Sequence, residues 1–89
     1  MTETLLEFPC DFPIKAFGKA EDGAQAFSDL VFALVSPHVI GLQEQHLSLN
    51  ESSKGRFVAV TVNITATSQQ QLDAIYQALS DHEQVVMSL

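Results

Sequence analysis

The chain lacks most of the residues that specialised chemistry uses. It has one cysteine, Cys10, in 89 residues, so no internal disulfide can form, and such usage suits a reducing compartment. Tryptophan is absent, and four glycines and three prolines are too few for a Gly-rich phosphate cradle or a flexible linker. Positive charge is scarce: four Lys and Arg stand against eleven Asp and Glu, a formal charge of −7. That field repels phosphate backbones and anionic lipid surfaces, which disfavours nucleic-acid and membrane binding. No apolar run approaches the roughly 20 residues needed to cross a bilayer, and no basic-then-apolar leader opens the chain. The expectation is a cytoplasmic protein.

Apolar residues are plentiful. At 46% hydrophobic, the chain can bury a core without metal or disulfide, and its length predicts a single domain over residues 1–89. Pro9 and Pro13 each remove a ladder donor, so any strand there sits at a sheet boundary until Pro13 is passed. Ile14–Phe17 then reads as a first strand ended by Gly18, with Phe12, Ile14 and Ala16 on one face. A helix is predicted from Glu21 to Ser36, with Asp22 as N-cap and Ala24, Phe27, Leu30, Val31 and Leu34 as its stripe; Phe32 and Val35 fall off that stripe.

Gln45–Glu51 is predicted as a polar edge strand. Phe57–Thr65 alternates strictly and predicts a half-buried strand with Val58, Val60, Val62 and Ile64 inward. The turn Ser52–Arg56 joins the two as a hairpin. Ser68 with Gln71 matches a capping box at the start of a second helix. Val85, Met87 and Leu89 are expected on one face of a last strand. The order βαββαβ predicts a ferredoxin-like α+β sandwich, a four-stranded antiparallel sheet of order 4-1-3-2 with two helices on one face.

That topology gathers the end of strand one, the start of helix one, the hairpin tip and the start of strand four at one end of the sheet. Gly18, Lys19, Lys54, Gly55 and Arg56 are therefore candidate ligand-binding residues for a small anionic metabolite; solvated hairpin lysines are the plainer explanation. The sheet face away from the helices is expected to carry Phe17, Phe57, Ala59, Thr61, Asn63, Val86 and Ser88, with His46 and Ser48. Its half-apolar character suits a homodimer or a protein partner, through this open face or a sheet edge.

His38, His46 and His82 lack metal-ligand spacing, no carboxylate is embedded in an apolar run, and Cys10 has no local base. No catalytic residue, cofactor or metal is predicted, and a small enzyme remains only if the fold assembles its site. Lys54–Ala59 faintly resembles the third-strand signature of RNA-recognition motifs, but no aromatic follows Phe57 in the outward register.

Leu5–Lys15, with its Phe8-Pro9-Cys10-Asp11-Phe12-Pro13-Ile14-Lys15 core, resembles the YbeD-like family of small bacterial proteins. So do Ser52-Ser53-Lys54-Gly55, Val60–Ala66 and the tail Val85–Leu89. The resemblance implies a ferredoxin-like fold related to ACT domains, which bind small regulators and pair with one another, and hence a non-catalytic regulatory or interaction module. In ACT domains a glycine-containing turn after strand one meets the ligand, and Gly18 would correspond to it.

Overall fold

The structure, a computed structural model, describes residues 7–19, 21–51 and 57–89. Its elements are β1 (Cys10–Lys19), α1 (Ala24–Val35), β2 (Leu47–Glu51), β3 (Phe57–Ala66), α2 (Gln69–Ser80) and β4 (Val85–Ser88), with 3-10 turns at Ser36–His38 and Glu44–His46. The sheet order is β2-β3-β1-β4 and every pairing is antiparallel. This is the ferredoxin-like arrangement expected from the element order.

Alternation along β3 fixes the layers. Val58, Val60, Val62 and Ile64 are buried with Ile14 and Ala16 of β1, and they share one core with Phe27, Val31 and Val35 of α1 and Leu72, Ile75 and Leu79 of α2. Both helices thus cover one face. Each such side chain removed from water contributes about 1.5–3 kcal/mol, the main term opposing chain entropy. Val35 belongs to the buried stripe after all, because 27, 31 and 35 follow at four-residue steps.

β1 is longer than its prolines suggested. Its pairing with β3 is continuous from Cys10↔Ala66 to Lys19↔Phe57, through Pro13↔Asn63. Amides alternate sides along a strand. The Lys15 amide donates to the Leu89 carbonyl on the β4 side, so the donor missing at Pro13 faces the same side, where β4 has already ended. The proline is tolerated because β1 is an edge there.

Gly18 does not end β1 and is not a turn residue; it is a buried strand position. A Cβ there would lie 2.6 Å from Phe27 Cζ and 2.5 Å from the Gln84 carbonyl oxygen. The absent side chain lets α1 and the turn before β4 close on the sheet. The helix N-cap is Gly23, at φ 97°, rather than Asp22, and no side chain caps it. Left-handed backbone of this kind favours glycine, and it delays the helix until Ala24. Pro37 sits in the first turn of the 3-10 helix that follows α1, where its missing donor costs nothing.

The cap of α2 is as predicted on one side and shifted on the other. Ser68 Oγ accepts from the Gln71 amide at 3.0 Å, but Gln71 Oε1 accepts from the Thr67 amide at 2.7 Å, one residue before the cap. β4 departs further from expectation. Gly18 faces Val85 while Phe17 faces Met87, so Val86 is the extra residue of a β-bulge. The bulge flips the pattern: Val85 is buried, Ser88 stands opposite inward-facing Ala16, and Met87 and Leu89 turn to the other face.

Candidate functional site

Two surfaces stand out, at the end and on the open side of the sheet. The first is a groove of about 940 Å3 where β1 begins and β3 ends. Phe12 and Ile64 contribute apolar wall, the connection His38–Leu42 forms the opposite side, and the first turn of α2 closes the third. Gln71 braces it: while its Oε1 accepts from Thr67, its Nε2 donates to the His38 carbonyl at 2.8 Å, tying α2 to the segment after α1. Ile40 is fully exposed on the rim beside Gly41, whose φ is 77°.

His46 is on this groove and not on the open face of β2 as expected. It lies in the 3-10 turn, where its Nδ1 accepts the Gln43 amide at 3.0 Å. A chain reversal by a 3-10 turn leaves no local periodicity, so sequence reasoning missed both the groove and the histidine's place. The nearest signals were Pro37 and Gly41.

The second surface is the open sheet face. Strand alternation puts Lys15, Phe17 and Lys19 of β1 on it, with Ala59 and Thr61 of β3 and Ser48 and Asn50 of β2. Phe17 lies between Ala59 and Met87, and Lys15 between Thr61 and Leu89, with which it exchanges backbone hydrogen bonds of 3.0 and 2.8 Å. Phe57, Met87 and Leu89 are 49%, 50% and 61% exposed. Of the predicted face set, Phe17, Phe57, Ala59, Thr61, Asn63 and Ser48 belong to it. Ser88 does not, and Met87 and Leu89 replace it through the bulge.

The predicted basic rim is reached only in part. Lys54, Gly55 and Arg56 lie outside the described residues. Gly18 and Lys19 are the last residues of β1, and Lys19 pairs with Phe57, the neighbour of Arg56 in sequence. Among the described residues, the end of β1, the approach to α1 and the turn before β4 meet, and Lys19 lines a depression there with Glu21, Glu83, Gln84 and Val86. Glu21 and Glu83 place negative charge beside it, which opposes an anion at that point.

Among the described residues, no three His, Cys, Asp or Glu side chains come close enough to hold a metal ion. No polar or charged side chain among the described residues is buried. Cys10 is half-buried against the core, and His82 lies beyond α2, where its Nδ1 accepts the Gln84 amide at 3.2 Å. The fold does not bring these two together. Among the described residues no helix is long and apolar enough to cross a membrane.

The family model described as "Protein of unknown function (DUF493)" matches residues 3–89. The chain belongs to this family. The UPF0250 protein of Chromobacterium violaceum is 46% identical over 98% of this chain and 94% of its own length. The UPF0250 protein NE1487 of Nitrosomonas europaea is 41% identical over 98% and 97%. These matches bear out the YbeD-like resemblance. The solution structure of protein HP0495 from H. pylori covers 98% of this chain and 88% of its own, with a TM-score of 0.69 at 18% identity, a likeness of fold.

Proposed function

We propose that this protein is a non-catalytic interaction module that engages a partner through the open face of its sheet. The observation that carries the reading is the apolar cluster there, Phe17 between Ala59 and Met87 with Phe57 and Leu89 alongside, although both helices pack on the other face. Contiguous water-facing apolar surface on a folded domain is a mark of interaction sites. The test is a photo-crosslinking residue placed at Met87, with one at exposed Ala26 on α1 as control, in the producing cell. A discrete adduct from position 87 alone supports the reading; none, or equal adducts from both positions, refutes it.

The groove favours a second reading, a small-molecule binding module, because Gln71 holds its walls in place through Thr67 and the His38 carbonyl. A metabolite thermal-shift screen run on the parent and on Gln70→Ala tests it. The anion site at Gly18, Lys19, Lys54, Gly55 and Arg56 stays within the same screen: loss of a hit in Lys54→Ala with Arg56→Ala supports it, and an unchanged hit removes it.

A further inference from the structure

The charges of this acidic chain are unevenly divided between its two faces. Every Lys and Arg among the described residues, Lys15 and Lys19, is at an odd position of β1 and so on the open face. Asp22 and Asp29 are exposed around α1, Asp73 and Asp81 around α2, and Glu44 on the connection to β2. Of the strand carboxylates, only Asp11 shares the open face, opposite Thr65. It is four residues from Lys15, about 13 Å along an extended strand and beyond the Debye length of about 8 Å at physiological salt.

Phe17 therefore sits on the open face with a lysine two residues to either side. Lys19 has Glu21 and Glu83 nearby, whereas the cross-strand neighbours of Lys15 are Thr61 and Leu89. An apolar centre flanked by ammonium groups complements a surface that brings an apolar anchor with carboxylates around it. Face-to-face pairing with a second copy would instead bring lysines of the same face together.

Resting on the interaction-module reading above, we infer that the partner of the open face is an acidic protein segment with apolar anchors, seated over Phe17 and Met87 with its carboxylates toward Lys15 and Lys19. The lysines steer and orient, and the apolar contacts hold. The charge of −7 on the whole chain makes this discriminating, because the other faces carry no Lys or Arg among the described residues.

The test uses the full chain and two synthetic peptides with the same Leu and Phe residues, one carrying Asp and Glu and the other Lys and Arg. Amide chemical shifts report where each binds. The acidic peptide is expected to shift β1, β3 and β4 amides around Phe17, more weakly as salt rises. Its affinity should fall at least tenfold in Lys15→Glu with Lys19→Glu, and about threefold in the milder Lys15→Gln with Lys19→Gln.

Equal binding of both peptides, insensitive to the lysine changes, overturns the acidic class while the crosslinking result at Met87 still stands or falls alone. Shifts confined to α1 and α2, or no binding, overturn the inference. Self-association of the parent that Met87→Glu abolishes would also overturn it, in favour of a second copy.

Discussion

Gly18→Ala should be among the most damaging single-methyl additions in the chain. The new Cβ would stand 2.6 Å from Phe27 Cζ and 2.5 Å from the Gln84 carbonyl, where ordinary carbon contacts need about 3.5–4.0 Å. Phe27 is 3% exposed, within a core it shares with Val31 and Val58, so its ring cannot swing clear. Gln84's oxygen is backbone in the turn that delivers buried Val85 to the sheet. Overpacking of this kind costs about 3 kcal/mol. For a domain of this size that lowers Tm by about 12–24 °C, at about 4–8 °C per kcal/mol.

Urea unfolding followed by circular dichroism would show a lower midpoint at unchanged slope. Phe27→Leu frees part of the space, so the double variant should lose at least 1 kcal/mol less than the two singles summed, on the order of ordinary coupling between touching residues. A Gly18→Ala protein within about 0.5 kcal/mol of the parent, the range of neutral surface changes, or a strictly additive double variant, would refute the reasoning.

Ser68→Ala should cost about 1 kcal/mol through the lost cap of α2. Gln71→Leu should cost about 1–3 kcal/mol, since it removes both the Thr67 acceptor and the His38 donor from a half-buried position; equal thermal midpoints for parent and variants would count against the brace. Deleting Val85–Leu89 removes the strand beside β1, with buried Val85 and the paired Lys15–Leu89 bonds, and should abolish the cooperative transition; a retained melting step would disprove the role given to β4. Burial raises the Tyr76 phenol above its usual value of 10.0. The protonated form is thus favoured in the fold: its stability contribution is full below about pH 10 and is lost as pH climbs through the folded value. Tyr76→Phe should flatten that alkaline decline in denaturant midpoint, and an identical slope in both proteins would show that another group causes it.

The sequence by itself determined the layers. β3 alternates over its whole length because one face is buried and the other wet, and a period of two in the chain has a single geometric meaning. The start of α2 and its Ser68 cap were legible because the hydrogen bond involved is local. Pro13 correctly signalled a sheet boundary, since a missing donor is a property of the residue alone. The family, too, was written in contiguous residues.

Only the tertiary structure decided the rest. Gly18 reads as a turn until Phe27 and the Gln84 carbonyl, both remote in sequence, are seen to occupy the space of its side chain. The Val86 bulge is set by how β4 meets β1, so no pattern within Val85–Leu89 could place Met87 and Leu89 on the open face. The groove behind Gln71 arises where β1, β3, α2 and the α1–β2 connection converge, and His46 joins it through a turn too short to have a period. The charge division between faces has the same origin: Lys15 and Lys19 are ordinary surface lysines in sequence. Strand alternation sets them on either side of Phe17, but only the run of β1 through Gly18 to Lys19 and the packing of both helices on the other face leave them together on the open side.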